Sequence, residues 1–319
     1  MKIVVLDGHA LNPGDLSWAD LERLGPTEIY DRTDQDLIFE RICDAPVVLT
    51  NKTVLNGETM RRLPKLRYVG VIATGYNIVD MEAARDLHIT VTYVPSYGTA
   101  SVAQFTFALL LELCHRVGQH NQAVRSGGWS ASKDWCFWQS PLVELAGKTM
   151  GLIGFGRIGR QVAKIADAMG MSVIATSVRG SEAPSFPDFR WASLDEILVQ
   201  SDVVSLHCPL LPETEGLIDA KRLARMKRSA FLINTSRGRL VVEQDLANAL
   251  NAERLAGAAV DVLSSEPPNP DNPLLAARNC IVTPHIAWAT REARARLMAS
   301  AIENVMAFLN GNSQNVVCD

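Results

Sequence analysis

A hexapeptide with glycine at its first, third and sixth positions constrains the fold more than any other feature. GFGRIG, residues 154–159, follows the apolar run MGLI and opens a helix with apolar periodicity. Gly154 permits a tight turn, Gly156 lets the backbone approach a pyrophosphate, and Gly159 allows close helix–strand packing. The helix N-terminus adds free N–H groups for an anion. An incidental glycine loop is the alternative, but the strand–turn–helix setting predicts a dinucleotide-binding unit.

The end of the next predicted strand bears on which dinucleotide is bound. An NAD enzyme usually places Asp or Glu there to hold the ribose 2′-hydroxyl. Here Ser177 occupies the expected position and Arg179 follows two residues later. This pair can bind and neutralise a 2′-phosphate, so the sequence favours NADP(H) over NAD(H). If Arg179 is instead a solvated loop residue, NAD is still accepted.

The chain contains two series of short β-branched apolar runs that alternate with helical stretches, a pattern typical of parallel sheets covered by helices. The first series has no glycine-rich turn, and the second starts at Lys148 with six strands, the number in a doubly wound dinucleotide fold. We therefore predict an α/β fold with two Rossmann-like, doubly wound parallel-sheet domains. The predicted strands are Ile3–Leu6, Val47–Thr50, Tyr68–Ile72, Thr90–Val94, Thr149–Gly154, Ser172–Thr176, Val203–Leu206, Ala230–Asn234, Gly257–Val262 and Cys280–Thr283.

A long, almost wholly apolar helix is predicted at Ser101–Val117, where Ser101 and Gln104 suit a capping box. Its internal polar residues indicate a buried interdomain or interface helix, not a membrane span. Ser126–Gly147 lacks periodicity and is predicted to be an exposed loop. Other predicted helices are Asp34–Cys43, Ile158–Met169, Leu194–Gln200, Ala220–Met226, Val242–Asn251 and Thr290–Asn310.

Composition narrows the class of protein. The 319 residues suit two domains, and a net charge of -4 without basic runs argues against nucleic acid or an anionic membrane as partner. The short apolar N-terminal run does not suit a signal peptide. Six scattered cysteines disfavour a disulfide framework or a structural metal site, so we expect a cytoplasmic protein without metal. They are Cys43, Cys114, Cys136, Cys208, Cys280 and Cys318.

Three segments after predicted strands carry groups suited to reducing a 2-keto acid: 234–238, 261–267 and 283–288. Ligands of open α/β sheets bind beyond the carboxyl ends of the strands, so these segments can converge. Arg237 can fork onto a carboxylate and polarise the adjacent carbonyl. His285, with an ordinary imidazole pKa near 6.5, suits proton transfer near neutrality, and Glu266 is its candidate partner.

Each of these groups has a purely structural alternative. Arg237 could form a surface ion pair, Glu266 could be solvated, and His285 could be a satisfied loop histidine. Asp261 could accept a hydrogen bond from a cofactor carboxamide or from other groups of the site. His207, at the end of another strand, is expected to line the nicotinamide side of the site.

Together these residues resemble the D-isomer-specific 2-hydroxyacid dehydrogenases, especially the glycerate dehydrogenase (hydroxypyruvate reductase) branch. The resemblance covers essentially the whole chain. It implies an oxidoreductase that moves a hydride between NAD(P)H and a small 2-keto acid, hydroxypyruvate or glyoxylate. The motifs that carry it, in family order, are GFGRIG at 154–159, LHCPLLPETEGLI at 206–218, NTSRG at 234–238, DVLSSEP at 261–267 and PHIAWAT at 284–290.

The resemblance implies further site residues. The catalytic arginine, glutamate and histidine fall on Arg237, Glu266 and His285. A carboxylate-binding loop falls on 72–77, and Asn51, Thr74, Gly75 and Arg237 are the expected substrate-binding residues. The family commonly has Asp where Ser177 stands, which puts the usual NAD preference in doubt. Besides the three glycines, Ser177 and Arg179, the expected cofactor contacts are Arg157, Ile158, His207, Cys208, Pro209, Thr214, Thr235, Asp261 and His285.

The family also implies a discontinuous substrate (catalytic) domain, 1–98 and 290–319, around a dinucleotide-binding domain, 99–289. Its members are usually homodimers, with Trp135 or Trp138 as candidates to reach the partner's site. One alternative is a formate- or phosphite-type dehydrogenase, although the formate branch typically pairs its histidine with Gln where Glu266 stands. Another is a non-catalytic, dinucleotide-sensing corepressor, in which the Arg–Glu–His set would be idle.

Overall fold

The computed structural model describes residues 1–176 and 182–317, so Ser177 and Arg179 lie outside the described residues. The chain forms two compact units. Unit 1 contains Met1–Gly98 and Trp288–Asp319, and unit 2 contains Thr99–Ala287.

Unit 1 contains a parallel sheet of short, mostly buried strands, with helices between them. The strands are β1 (Ile3–Val5), β2 (Thr27–Ile29), β3 (Val47–Thr50), β4 (Tyr68–Val71) and β5 (Thr90–Thr92), in the order β2-β1-β3-β4-β5. Its first helices are α1 (Ala19–Glu22), α2 (Ile38–Ile42), α3 (Gly57–Arg61) and α4 (Met81–Asp86).

Unit 2 is a larger parallel sheet with the order β12-β11-β10-β9-β6-β7-β8. Its strands are β6 (Thr149–Ile153), β7 (Ser172–Thr176), β8 (Phe189–Trp191), β9 (Val203–Leu206), β10 (Phe231–Asn234), β11 (Gly257–Val260) and β12 (Cys280–Val282). Its helices are α5 (Thr99–His115), α6 (Val117–Arg125), α7 (Arg157–Ala168), α8 (Leu194–Gln200), α9 (Ala220–Leu223) and α10 (Glu243–Asn251). The last helix, α11 (Arg291–Leu309), returns to unit 1 and packs on β4.

The order of the second sheet confirms the predicted doubly wound α/β fold. Strands β7 and β8 are added on one side of β6, and β9 to β12 are added on its other side, so the strand order reverses between β6 and β9. The last residues of six strands stand in register across this sheet. Ile153 pairs with Thr176 and Leu206, and the line continues through Asn234, Val260 and Val282. The residues that follow these strands therefore leave the sheet side by side at one edge.

Two strands were missed by the sequence patterns, β2 and β8, so the second sheet has seven strands where six were predicted. Both are three-residue edge strands whose side chains are largely half-buried or exposed. Such strands lack the buried β-branched run that identifies an inner parallel strand.

The predicted capping box at Ser101 is wrong. Helix α5 begins at Thr99, and Ser101 lies inside it, buried, with its hydroxyl donating to the Ala287 carbonyl at 2.6 Å. A left-handed residue, Arg116 (φ 50°), separates α5 from α6, a helix that was not predicted. Within residues 1–176 and 182–317, no helix is both long and apolar enough to cross a membrane.

Candidate active site

The glycine turn has the close contacts that its sequence predicts. Gly154 has φ 99°, and a side-chain carbon there would lie 2.6 Å from the Cys208 nitrogen. A carbon at Gly159 would overlap the Gly154 carbonyl oxygen, so this glycine lets α7 approach β6. A carbon at Gly156 would meet no atom within 4 Å. The open side of the turn therefore faces the N-terminus of α7 and fits a pyrophosphate.

A neutral histidine follows the neighbouring strand β9. Burial lowers the pKa of His207 to about 4, and its Nε2 lies 2.9 Å from the Ser205 hydroxyl. The adjacent Cys208 is buried, and its carbonyl accepts from the Ser236 hydroxyl at 2.7 Å. The turns after β6, β9 and β10 are thus joined, with an uncharged imidazole beside the glycine turn.

The turn after β10 presents Arg237 on the surface of unit 2. The Asn234 side chain shapes this turn by accepting from Ser236 N at 3.0 Å and donating to Arg237 O at 2.8 Å. Arg237 is exposed, and its Nη1 donates to Ser236 O at 2.8 Å. Gly238 packs directly on the peptide that joins Leu263 to Ser264, where a side-chain carbon would overlap the Leu263 carbonyl.

His285 and Glu266, 19 residues apart in the chain, form a direct pair. The His285 Nδ1 lies 2.6 Å from Glu266 Oε2, and the two side chains are 30% and 34% exposed. Because an ionised carboxylate only accepts, Nδ1 carries the hydrogen and Nε2 is left to exchange a proton. Glu266 Oε1 also accepts from Leu263 N at 3.0 Å, which fixes the carboxylate plane.

Asp261 holds the backbone around His285. Its Oδ1 accepts from the Thr283 hydroxyl at 2.7 Å and Ile286 N at 2.9 Å, and its Oδ2 accepts from Ala287 N at 2.8 Å. His285 has φ 54°, a left-handed conformation that these bonds support. Burial raises the pKa of Asp261, while the bonds from Thr283, Ala287 and Ile286 oppose that rise. Its contact with a cofactor carboxamide stays a prediction.

The remaining predicted cofactor contacts surround the same strand ends. Arg157 and Ile158 open α7, and the buried Thr235 lies 3.2 Å, oxygen to oxygen, from Thr106 of α5. The Thr214 hydroxyl donates to Pro209 O at 2.8 Å and accepts from Leu211 N at 2.7 Å, which folds the loop after Cys208.

In unit 1, the predicted substrate-binding residues also follow strand ends. Asn51 is buried after β3, and its side-chain amide donates to Ile72 O at 2.7 Å. Thr74 is exposed and donates its hydroxyl to Val94 O at 2.9 Å, and Gly75 is half-buried. Asn51 thus ties the loop after β3 to the start of the 72–77 loop.

Sequence reasoning missed the residue that organises the loop after β3. Asp7, two residues after the end of β1, accepts from Asn51 N at 2.7 Å, Lys52 N at 2.6 Å and Thr53 N at 2.8 Å. The available signal was an acid that directly follows a buried apolar strand, in a sheet whose loops carry the site.

An apolar surface covers the segment after α6. The side chains of Trp129, Trp135, Trp138 and Leu142 are all more than half exposed, and Trp135 is 87% exposed. Trp129 Nε1 donates to Trp135 O at 2.9 Å, so part of the loop is ordered by its own bonds. Large exposed apolar patches usually mark interaction sites.

Unit 2 therefore offers an anion cradle, a guanidinium and a carboxylate-bonded imidazole along one sheet edge. These groups suit a dinucleotide together with a small anionic substrate that must gain or lose a proton. Among the described residues, no cluster of three or more metal-ligating side chains occurs.

Comparisons with known proteins agree with this chemistry. The family of the D-isomer specific 2-hydroxyacid dehydrogenase NAD binding domain matches residues 107–287. A hydroxypyruvate reductase of Blautia hydrogenotrophica is 53% identical over 99% of both chains. A glycerate dehydrogenase of Methylorubrum extorquens is 41% identical over 99% of this chain and 98% of its own. A Thermus thermophilus protein of known crystal structure superposes with a TM-score of 0.87 and 36% identity over 100% of both chains.

Proposed function

From the chain's membership of the D-isomer-specific 2-hydroxyacid dehydrogenase family, we propose that it reduces hydroxypyruvate to D-glycerate and glyoxylate to glycolate. One observation carries this proposal. The His285–Glu266 pair, at 2.6 Å, stands at the same strand-end edge as the glycine turn and Arg237.

Arg237 binds the substrate carboxylate and polarises its carbonyl oxygen. The guanidinium suits both tasks because it is always charged and presents several donors in a plane. His285 gives the proton from Nε2 to the carbonyl oxygen, and the Glu266 carboxylate on Nδ1 stabilises the cationic ring beforehand. In the reverse direction, the neutral ring removes the hydroxyl proton.

The cofactor is a nicotinamide dinucleotide held by the glycine turn. When bound in its reduced form, it supplies the hydride that adds to the 2-carbon of the keto acid. Gly154 and Gly159 allow the tight packing of the turn, and the open side of Gly156 leaves space for the pyrophosphate. The N–H groups at the N-terminus of α7 bind the pyrophosphate oxygens in this proposal. Ser177 and Arg179 favour a 2′-phosphate, so NADPH is the preferred donor.

Unit 1 supplies the remaining substrate contacts in this proposal. Asn51 shapes the pocket border, and the backbone of Thr74 and Gly75 binds the carboxylate. Unit 1 thereby serves as the substrate domain, and unit 2 serves as the cofactor domain.

The protein acts as a cytoplasmic homodimer in this proposal. The exposed tryptophans of the loop after α6 supply an apolar contact surface, with Trp135 or Trp138 directed to the partner's site. The described cysteines are all free thiols, which suits a reducing compartment.

Initial rates with hydroxypyruvate, glyoxylate, pyruvate and phenylpyruvate, each with NADH and with NADPH, and with formate and NAD⁺ or NADP⁺, test the function. We expect the highest kcat/KM with hydroxypyruvate or glyoxylate and NADPH. A higher kcat/KM with NADH contradicts the roles of Ser177 and Arg179. A lack of turnover with every keto acid contradicts the reductase and favours a corepressor.

His285→Asn tests the proton donor. We expect a loss of turnover of about 1,000-fold, since general acid catalysis contributes about 10²- to 10⁴-fold, with the NADPH Kd nearly unchanged. His88→Asn, at an exposed histidine of α4's C-terminal turn in unit 1, is the control. A His285→Asn variant with most of its turnover removes this histidine from the reaction.

A further inference from the structure

The carboxylate of Glu243, the first residue of α10, binds both ends of the loop that carries Glu266. Its Oε1 accepts from Ser264 N at 2.7 Å. Its Oε2 accepts from the Ser264 hydroxyl at 2.8 Å and from Asn272 Nδ2 at 2.9 Å. Ser264 and Asn272 flank the excursion that contains Glu266, so one side chain closes the base of this loop.

The Leu263–Ser264 peptide connects Glu243 to the two halves of the site. Gly238, which follows Arg237 in the chain, packs directly on this peptide. Leu263 N donates to Glu266 Oε1 at 3.0 Å, and Ser264 N is held by Glu243. Any shift of this peptide therefore moves the Glu266 carboxylate relative to the arginine turn.

Only a carboxylate satisfies the three donors that meet here. Asn272 cannot turn its amide round without losing another bond, because its Oδ1 accepts from Leu274 N at 3.0 Å. Its Nδ2 consequently faces Glu243 as a donor. The N-terminal end of α10 also favours a negative charge at its first residue.

We propose that Glu243 is a positioning residue for proton transfer, which sets the Glu266 carboxylate against the His285 ring and the Arg237 turn. This inference rests on the proposed function, because it assigns Glu243 to the same proton-transfer pair. Glu243 acts through Ser264 and Glu266. Displacement of a reacting group by about 1 Å can cost about 100-fold in rate, so the loop anchor affects chemistry.

Glu243→Gln, compared with Asp245→Asn, tests the proposal. Asp245 is an acid in the same first turn of α10, and its Oδ2 accepts from Ala220 N at 2.8 Å, in a different loop. We expect Glu243→Gln to lower kcat/KM for hydroxypyruvate about 10- to 100-fold, as for a small misplacement, while the NADPH Kd stays within twofold. Asp245→Asn should leave both quantities within twofold.

The separate values of kcat and KM distinguish positioning from a general loss of structure. A displaced Glu266 no longer orients the His285 ring, so Glu243→Gln should lower kcat and leave the KM for hydroxypyruvate within threefold. Asp245→Asn should keep both constants at their wild-type values.

A spectroscopic measurement needs no turnover. The hydrogen in the short His285–Glu266 bond should give a low-field proton resonance that His285→Asn abolishes. Glu243→Gln should weaken or shift this signal, and Asp245→Asn should retain it. If Glu243→Gln does not fold, Ser264→Ala removes one of the three bonds and replaces it in both measurements.

The outcomes separate the two claims. Wild-type kcat/KM, kcat and resonance in Glu243→Gln, or in Ser264→Ala as its substitute, overturn the positioning role. Wild-type protein that reduces no keto acid refutes the proposed function. If the low-field resonance of that protein still depends on Glu243, the positioning of Glu266 by Glu243 is supported, and only the assigned reaction is refuted.

Discussion

Two aspartates, one in each unit, use the same device in different surroundings. Asp7 follows β1 and binds the loop after the neighbouring strand β3, and Asp261 follows β11 and binds the loop after its neighbour β12. Each accepts from several backbone N–H groups. Adjacent parallel strands that end in register bring an acid on one strand within reach of the next loop.

The two anchors differ in burial. Asp261 is 1% exposed, and burial raises the pKa of its carboxyl group, whereas Asp7 is half-buried. Hydrogen bonds in a low-dielectric interior are stronger and costlier to break. The buried anchor holds a histidine in a left-handed conformation, and the wetter anchor holds Asn51. The unit that places His285, the proposed proton donor, therefore has the more rigid support.

Asp261→Asn tests whether the buried anchor is needed. The side-chain amide of the new asparagine places an NH₂ donor against one of the groups that donate to Asp261. That buried donor is left without an acceptor, so the loop that carries His285 should shift. We expect kcat to fall about 100-fold, as for a misplaced catalytic group, with a lower Tm. Steady-state kinetics and thermal unfolding measure both. A kcat within threefold of wild type would show that the buried anchor is dispensable.

Asp7→Asn should have a smaller effect of another kind. Bonds to a half-exposed carboxylate are weaker, and the affected loop belongs to the proposed substrate border. We expect KM for hydroxypyruvate to rise about 10-fold, equivalent to about 1.4 kcal/mol, with kcat within threefold. Asp20→Asn, at an exposed acid in α1, is the control. A drop in kcat as large as that of Asp261→Asn would mean that the anchors do not differ.

A third contrast concerns acid stability, because unit 2 contains a half-buried titratable histidine. His207 has a pKa of about 4 in the folded chain, lowered by burial, against 6.5 for an ordinary histidine. The unfolded chain thus takes up this proton first, and stability falls as the pH falls from 6.5 towards 4. From pH 7.5 to 5.5, His207→Asn should lose about 1 kcal/mol less than wild type.

Denaturant unfolding at several pH values measures this difference. His88→Asn, which replaces an exposed histidine of unit 1 in a left-handed conformation that asparagine tolerates, should follow the wild-type profile. If wild type and His207→Asn lose the same free energy of unfolding on acidification, the imidazole of His207 does not contribute to the loss of stability at low pH.

The sequence alone was enough to predict the strand–turn–helix unit at 154–159 and the doubly wound sheet, and it named Glu266 as the partner of His285, which lies 2.6 Å away in the structure. The catalytic roles of Arg237, Glu266 and His285 stay a prediction. The turn and the strands are local signals, because buried parallel strands are continuous apolar runs and a phosphate turn requires glycine at fixed spacing. The edge strands β2 and β8 escaped because their exposed side chains carry no such run.

The contacts that hold the loops join residues that are distant in the sequence. The bonds of Asp7 span 44 to 46 residues of sequence, and those of Glu243 span 21 to 29. In the sequence, Glu243 looks like an ordinary solvated residue, and Asp7 is marked only by its place after an apolar strand. Their roles arise when parallel pairing brings distant strand ends together, because a carboxylate acts as an anchor only where several donors converge on it.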